Sequence, residues 1–167
     1  MSHKLKTAYE HRLSLGVSEI CKSHRPDIDS SRRFAAGAEA ARGQAQVLCL
    51  NAGVAGSGDM VDLTMADWNW LLGVNLWGVI HGLDIYLKGL VARNEGHVVV
   101  TASVAGHTSF PGLGPYSASK HAVSTIAETL HNELSTAGSD VGVTSLCPGS
   151  VSSTPLRAHE TKANLVC

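Results

Sequence analysis

The chain has no surplus of charge of either sign. Lys and Arg total 13 against 14 Asp and Glu, a formal net charge of -1, which removes the electrostatic footprint expected of a nucleic-acid or anionic-membrane binder. Cysteine is sparse. Cys21, Cys49, Cys147 and Cys167 form neither a CxxC nor a finger-like pattern, so zinc-finger and thioredoxin-like chemistry is excluded. The nine His include no HExxH-type pair, and no metal site is expected. A G-x-S-x-G elbow is also missing, which argues against a serine hydrolase. Met1-Ser-His-Lys-Leu-Lys6 leads into no apolar run, so no secretory signal is predicted. The most apolar stretch, 63–92, contains Asn75, His81, Asp84 and Lys88, too many polar groups for a membrane span. Internal repeats and low-complexity linkers are absent. What remains is one domain with a small core, expected in a reducing, cytoplasmic compartment. Cys49 and Cys147 are expected there as small buried hydrophobes.

Three short apolar runs are present, each ending in a polar or glycine-containing turn. Ala45–Leu50 leads into Asn51-Ala52-Gly53, His97–Ala102 ends at Ser103, and Val141–Cys147 ends at Pro148-Gly149. Such Val-rich runs predict parallel strands covered on both faces. Long helical segments separate them, as right-handed crossovers require. One helix is predicted from Ser30 to Arg42 with Asp29 or Ser30 as its cap, and another from Leu63 to Ala92 opened by Thr64 and Asp67. Gly56–Asp59 and Pro111–Pro115 read as loops, with Pro115 suited to a first helical turn and Gly138 to a helix end. In open α/β sheets the ligand crevice lies at the carboxyl ends of the strands, so all three turns meet at one edge.

Tyr116 and Lys120 stand one turn apart on the third helix. At 100° per residue, Val123, Ala127, Leu130 and Leu134 project within about 40° of Tyr116, and Lys120 lies inside the same stripe. A phenol and an ammonium on a core stripe admit two readings. One is a core Tyr beside a snorkelling Lys. The other is a phenol whose proton the adjacent cation makes labile, suited to acid–base chemistry on an alcohol or carbonyl. Ser103 either satisfies a strand-end backbone group or acts on a ligand at the same rim. Asn75 is either a core amide bonded to backbone or a functional group.

Asn51-Ala-Gly53, Val74-Asn75-Leu76, Thr101-Ala-Ser103, Tyr116-Ser-Ala-Ser-Lys120 and Pro148-Gly149 resemble, in order and spacing, the motifs of the short-chain dehydrogenase/reductase family. The match runs from about residue 27 to residue 156. The resemblance implies a Rossmann-type, doubly wound parallel α/β sheet. It also implies hydride transfer between NAD or NADP and an alcohol or carbonyl. By that similarity Ser103 would hold the substrate oxygen and Tyr116 would exchange its proton. Lys120 would make that proton easier to lose and bind the nicotinamide ribose, and Asn75 would support a water-linked proton relay. Asp27 and Ile28 match the pair near the adenine. Asn51, Ala52, Gly53, Pro148, Gly149 and Val151 would line the cofactor, and Ser153 or Thr154 would meet its carboxamide.

The resemblance is partial. The family opens with a T-G-x-x-x-G-x-G turn at a helix N-terminus that meets the pyrophosphate, whereas residues 1–26 contain one Gly, Gly16. The expectation is therefore a partial domain over 27–157, lacking the first βαβ unit and the C-terminal substrate-covering elements. A poorly defined segment (1–26) would precede it and a loose tail (158–167) would follow. A truncated, non-catalytic interaction module stays open beside the enzyme. On the 63–92 helix, with Leu72 at zero, Leu76, Val79, Leu83, Leu87 and Leu90 fall within about 60° and predict the sheet-facing stripe. Trp70, Val74, Trp77 and Ile85 project at about 140–220°. That second apolar face predicts a homodimer or tetramer through the 63–92 and 115–137 helices.

Overall fold

The computed structural model describes residues 27–149; the segment before Asp27, Val151, Ser153, Thr154 and the 158–167 tail lie outside them. Helix α1 (Ile28–Arg42) begins where the Asp27 carboxylate accepts from the backbone N–H groups of Asp29 and Ser30 at 3.0 and 3.3 Å. The cap is thus Asp27, two or three residues earlier than expected, because a short acidic side chain just ahead of Ile28 satisfies the free amides of the first turn. Gly43, at φ 82°, ends the helix, a backbone conformation that glycine adopts without steric cost.

Strands β1 (Val47–Leu50), β2 (His97–Thr101) and β3 (Gly142–Leu146) form a parallel sheet in the order β1-β2-β3. Val47 stands beside His97, and His97 beside Gly142. The predicted runs, their direction and the central place of the second are all found. Burial alternates along β1 and β2, while β3 is half-buried throughout. Leu48, Leu50, Val98 and Val100 join one core with Val79, Tyr86, Leu90, Val123, Ala127, Leu130 and Leu134. Val47 is exposed, and Cys49, His97, Val99 and Thr101 are half-buried. Among the described residues the helices cover one face, and the opposite face carries His97 bonded to Thr144 at 2.8 Å.

The second helical segment is interrupted. Helix α2 (Met65–Leu72) opens with a reciprocal cap between Thr64 and Asp67, as the sequence predicts. A π-helical turn over Gly73–Trp77 follows, and helix α3 (Gly78–Arg93) continues from it. The extra residue of a π turn rotates everything after it by roughly 100° relative to an unbroken helix. The buried set is accordingly Leu71, Val74, Asn75, Gly78, Val79, Gly82, Tyr86 and Leu90. Val74 belongs to the core and not to the far side. Leu76, Leu83 and Leu87 only flank the core. Gly82 meets Leu50, and any Cβ there would collide with the Leu50 side chain. Met65–Arg93 is long and apolar enough to cross a membrane by length and composition, yet its buried residues form part of the core against the sheet.

Asn94 stops α3 in the left-handed conformation at φ 51°. Its side chain reaches the turn before β3. Oδ1 accepts from Ser139 Oγ and from Asp140 N, both at 2.9 Å, and Nδ2 donates to Asp140 Oδ2 at 2.9 Å. Helix α4 (Gly114–Thr136) has Pro115 in its first turn and buries Val123, Ala127, Leu130 and Leu134, the predicted stripe. Gly138, at φ 66°, follows its end. Ser103, at the end of β2, accepts from Ala105 N and opens a 3-10 turn over Val104–Gly106.

Candidate active site

The site is assembled at the carboxyl edge of the sheet, where β1, β2 and β3 run out into loops and α4 begins. Lys120 is 4 % exposed and donates through Nζ to the Thr101 carbonyl at 2.7 Å. The bond holds the ammonium against the last residue of β2, so the side chain is fixed rather than snorkelling. Its Nζ lies 5.9 Å from the centroid of the half-buried Tyr116 ring, within cation–π reach. Burial pushes the Lys120 ammonium below its usual range of 10.5, and the charge available on Cys147 acts in the opposite sense. An ammonium that has lost part of its hydration is a stronger donor to any polar group brought beside it.

Asn75 is 1 % exposed and its amide is fully engaged. Oδ1 accepts from Val54 N at 2.7 Å, and Nδ2 donates to Val54 O at 2.9 Å and to Ser119 Oγ at 3.0 Å. Ser119 Oγ in turn donates to the Tyr116 carbonyl at 2.7 Å. The π turn presents this amide sideways, between the loop after β1 and the first turn of α4. Asn75 therefore does what the plainer reading expects, bonding backbone. In doing so it fixes the Asn51-Ala52-Gly53 segment relative to Tyr116.

Gly53 stands where these groups converge. A Cβ added there would lie 3.5 Å from both Asn75 Oδ1 and Lys120 Nζ. Asn51 Oδ1 accepts from Thr101 Oγ1 at 2.8 Å, which ties the ends of β1 and β2 together. Ser103, buried, uses one lone pair on Ala105 N, and among the described residues no group accepts its hydroxyl proton. Pro148 and Gly149 are exposed. The Pro148 carbonyl accepts from Val104 N at 3.1 Å, so the end of β3 is held against the Ser103 turn.

Asn75, Ser103, Tyr116, Lys120, Asn51, Ala52, Gly53, Pro148 and Gly149 thus belong to one edge of the sheet. Asp27 and Ile28 are at the start of α1, where the carboxylate serves as a helix cap. Sequence reasoning missed Ser119, which is 0 % exposed. Its position three residues after Tyr116 and next to Lys120 is the only signal, and a Ser in that place is chemically ambiguous. The contact of His107 Nε2 with Cys147 Sγ, 3.2 Å, was also missed, since a separation of 40 positions hides it.

A parallel sheet with a phenol, an ammonium, a hydroxyl and an amide at its carboxyl edge defines a Rossmann-type α/β protein. The sequence profile of the short chain dehydrogenases matches residues 20–165, and the chain belongs to that family. An uncharacterized oxidoreductase of Staphylococcus saprophyticus is 38 % identical over 117 residues, 70 % of this chain and 47 % of its own. An uncharacterized NAD-dependent oxidoreductase of Mycobacterium tuberculosis is 38 % identical over 128 residues, 76 % of this chain and 46 % of its own. The crystal structure of a short chain dehydrogenase/reductase from Burkholderia phymatum in complex with NAD superposes with a TM-score of 0.72 at 41 % identity, over 75 % of this chain and 45 % of that one. The chain therefore spans about half the length of these relatives.

Proposed function

We propose that the chain is the catalytic portion of an NAD(P)-dependent oxidoreductase that moves a hydride between a nicotinamide and a secondary alcohol or ketone. The observation that carries the reading is the buried Lys120 ammonium, pinned by the Thr101 carbonyl one helical turn from Tyr116. The reading assigns Tyr116, beside this fixed cation, the exchange of a proton with the substrate's alkoxide or alcohol. Ser103, whose hydroxyl proton meets no acceptor among the described residues, suits a hydrogen bond to the substrate oxygen. Asn75 positions the loop after β1 and, through Ser119, the start of the Tyr116 helix.

The rim fits a nicotinamide dinucleotide at its ribose end. An ammonium has three donors; Lys120 uses one on Thr101, and Gly53 places no side chain between Lys120 and Asn75. When bound, the nicotinamide supplies or accepts the hydride. Asn51, Ala52, Gly53, Tyr116, Lys120, Pro148, Gly149 and Val151 are assigned to its nicotinamide and ribose side, and Asp27 and Ile28 to its adenine side. A homodimer or tetramer through α2, α3 and α4, a small-molecule substrate and a cytoplasmic location belong to the same reading.

A second reading, a non-catalytic interaction module, draws on the absence of a T-G-x-x-x-G-x-G turn from these 167 residues, because hydride transfer needs the cofactor held in register. Fluorescence titration with NADH and NADPH separates the two. Saturable binding that weakens in Lys120→Ala supports the oxidoreductase. No binding of either nucleotide by the folded chain favours the module.

A further inference from the structure

Cys147 is a nucleophile that the proposed mechanism leaves unused. Cys147 follows β3 directly, and the bonds Ala102 N to Leu146 O and Val104 N to Pro148 O bracket it against the end of β2. Its sulfur contacts His107 Nε2 at 3.2 Å and Ser145 Oγ at 3.7 Å, and it is half-buried beside an exposed imidazole. An imidazole to take the proton and an opening to solvent are the surroundings that make a thiol reactive. Cys49 offers a contrast within the same molecule. It is half-buried on the other face of the sheet, and no hydrogen bond joins its sulfur to an imidazole among the described residues.

We infer that Cys147 and His107 form a thiol–imidazole pair that takes up a low-molecular-weight disulfide. In the tautomer with its proton on Nδ1, His107 accepts the thiol proton at Nε2, and the thiolate attacks one sulfur of the disulfide. A new bond forms between Cys147 Sγ and that sulfur, and the original S–S bond breaks. The second sulfur leaves as a thiolate and takes the proton held by His107. Cys147 is oxidised to a mixed disulfide, and the leaving half is reduced to a thiol. The adduct lies on the rim that carries Ser103 and Lys120. If the oxidoreductase reading holds, it obstructs the same site and is reversed by a dithiol reductant.

The test reads a covalent mass and does not require turnover, so it stands or falls apart from the proposed activity. The reduced 167-residue chain is exposed to glutathione disulfide and quenched in acid. The adduct at each cysteine is then quantified by peptide mass spectrometry over time. Cys147 is expected to react at least about tenfold faster than Cys49. His107→Phe should slow Cys147 by a similar factor, leave Cys49 unchanged and preserve the far-ultraviolet circular dichroism. Equal rates at Cys147 and Cys49 in the unmodified chain would overturn the inference without recourse to any variant. So would an unchanged Cys147 rate in a folded His107→Phe chain.

Discussion

Asn75 Nδ2 donates to Ser119 Oγ across 3.0 Å, joining the π turn of one helix to the first turn of another. Both residues are almost fully buried. The bond makes the backbone of the Tyr116 turn and the backbone of Val54 parts of one rigid unit.

Asn75→Leu should expose the importance of that unit. The substitution keeps the branched shape but strands Val54 N and Val54 O and removes the donor to Ser119 Oγ. A buried group left without its partner costs about 1–3 kcal/mol, and solvent reaches part of this cluster. The expected loss is about 2–4 kcal/mol, measured as a lower urea midpoint at unchanged slope. A midpoint equal to that of the unsubstituted chain would contradict the assignment.

Lys120 makes stability depend on alkaline pH. Its folded-state pKa lies below the ordinary 10.5 because burial disfavours the charge. Below the folded value both states hold the proton, and the full burial penalty applies. Between the folded value and 10.5 the unfolded chain binds more protons, so stability rises with pH; above 10.5 it levels off. Lys120→Met should lose this rise. The difference between the two stability–pH curves isolates it from other titrating groups, and parallel curves would refute it.

Tyr116→Phe removes one proton and little else. If NAD(P)H-dependent reduction is observed, this variant should lose about 10²–10⁴ in rate while binding the nucleotide almost unchanged. Lys120→Ala should reduce both rate and affinity. Ordinary turnover by the Phe variant removes Tyr116 from the mechanism.

Trp77 tests assembly. It is 52 % exposed and packs against His81 with ring centroids 6.0 Å apart, on the face of the helix turned away from the core. An exposed aromatic of this size on a long apolar helix suits a contact between copies. Trp77→Glu should turn a dimer into a monomer by light scattering after size exclusion. An unaltered mass means that another surface holds the copies together.

What the sequence reveals depends on how regular the backbone is. Helix α4 is regular, so the phase set at Tyr116 still predicts Leu134. The strands are legible because short, Val-rich apolar runs end in polar or glycine-containing turns. The 63–92 helix is not regular. One added residue at Gly73–Trp77 puts Val74 into the core and moves Leu83 and Leu87 to its flank, and nothing in a hydrophobic pattern marks the insertion beforehand. The missed Asp27 cap has a similar origin, since Asp27, Asp29 and Ser30 are all good caps and only the backbone selects one. At the site, Tyr116 and Lys120 are visible from their spacing on a core stripe. Ser119 and His107 act through partners far away in sequence, and no local period carries that information.

The left-handed Asn94 has a consequence for how the sheet closes. β2 and β3 lie side by side only after the whole α4 crossover has folded back, and Asn94 and Asp140, 46 positions apart, meet where it closes. Bringing the ends of a chain that long together costs on the order of 3 kcal/mol in loop entropy. Three hydrogen bonds from one amide, at about 1 kcal/mol each, are of the same size. The amide acts as a latch on the crossover at the end of the sheet opposite the rim that holds Lys120. Asn94→Gly keeps the backbone conformation but removes the latch, and it should speed opening of the β2–β3 pair while Lys120 stays on Thr101. Amide hydrogen exchange at Gly142 and Thr144, whose N–H groups face β2, compared with exchange at Val99, whose N–H faces β1, would register that opening.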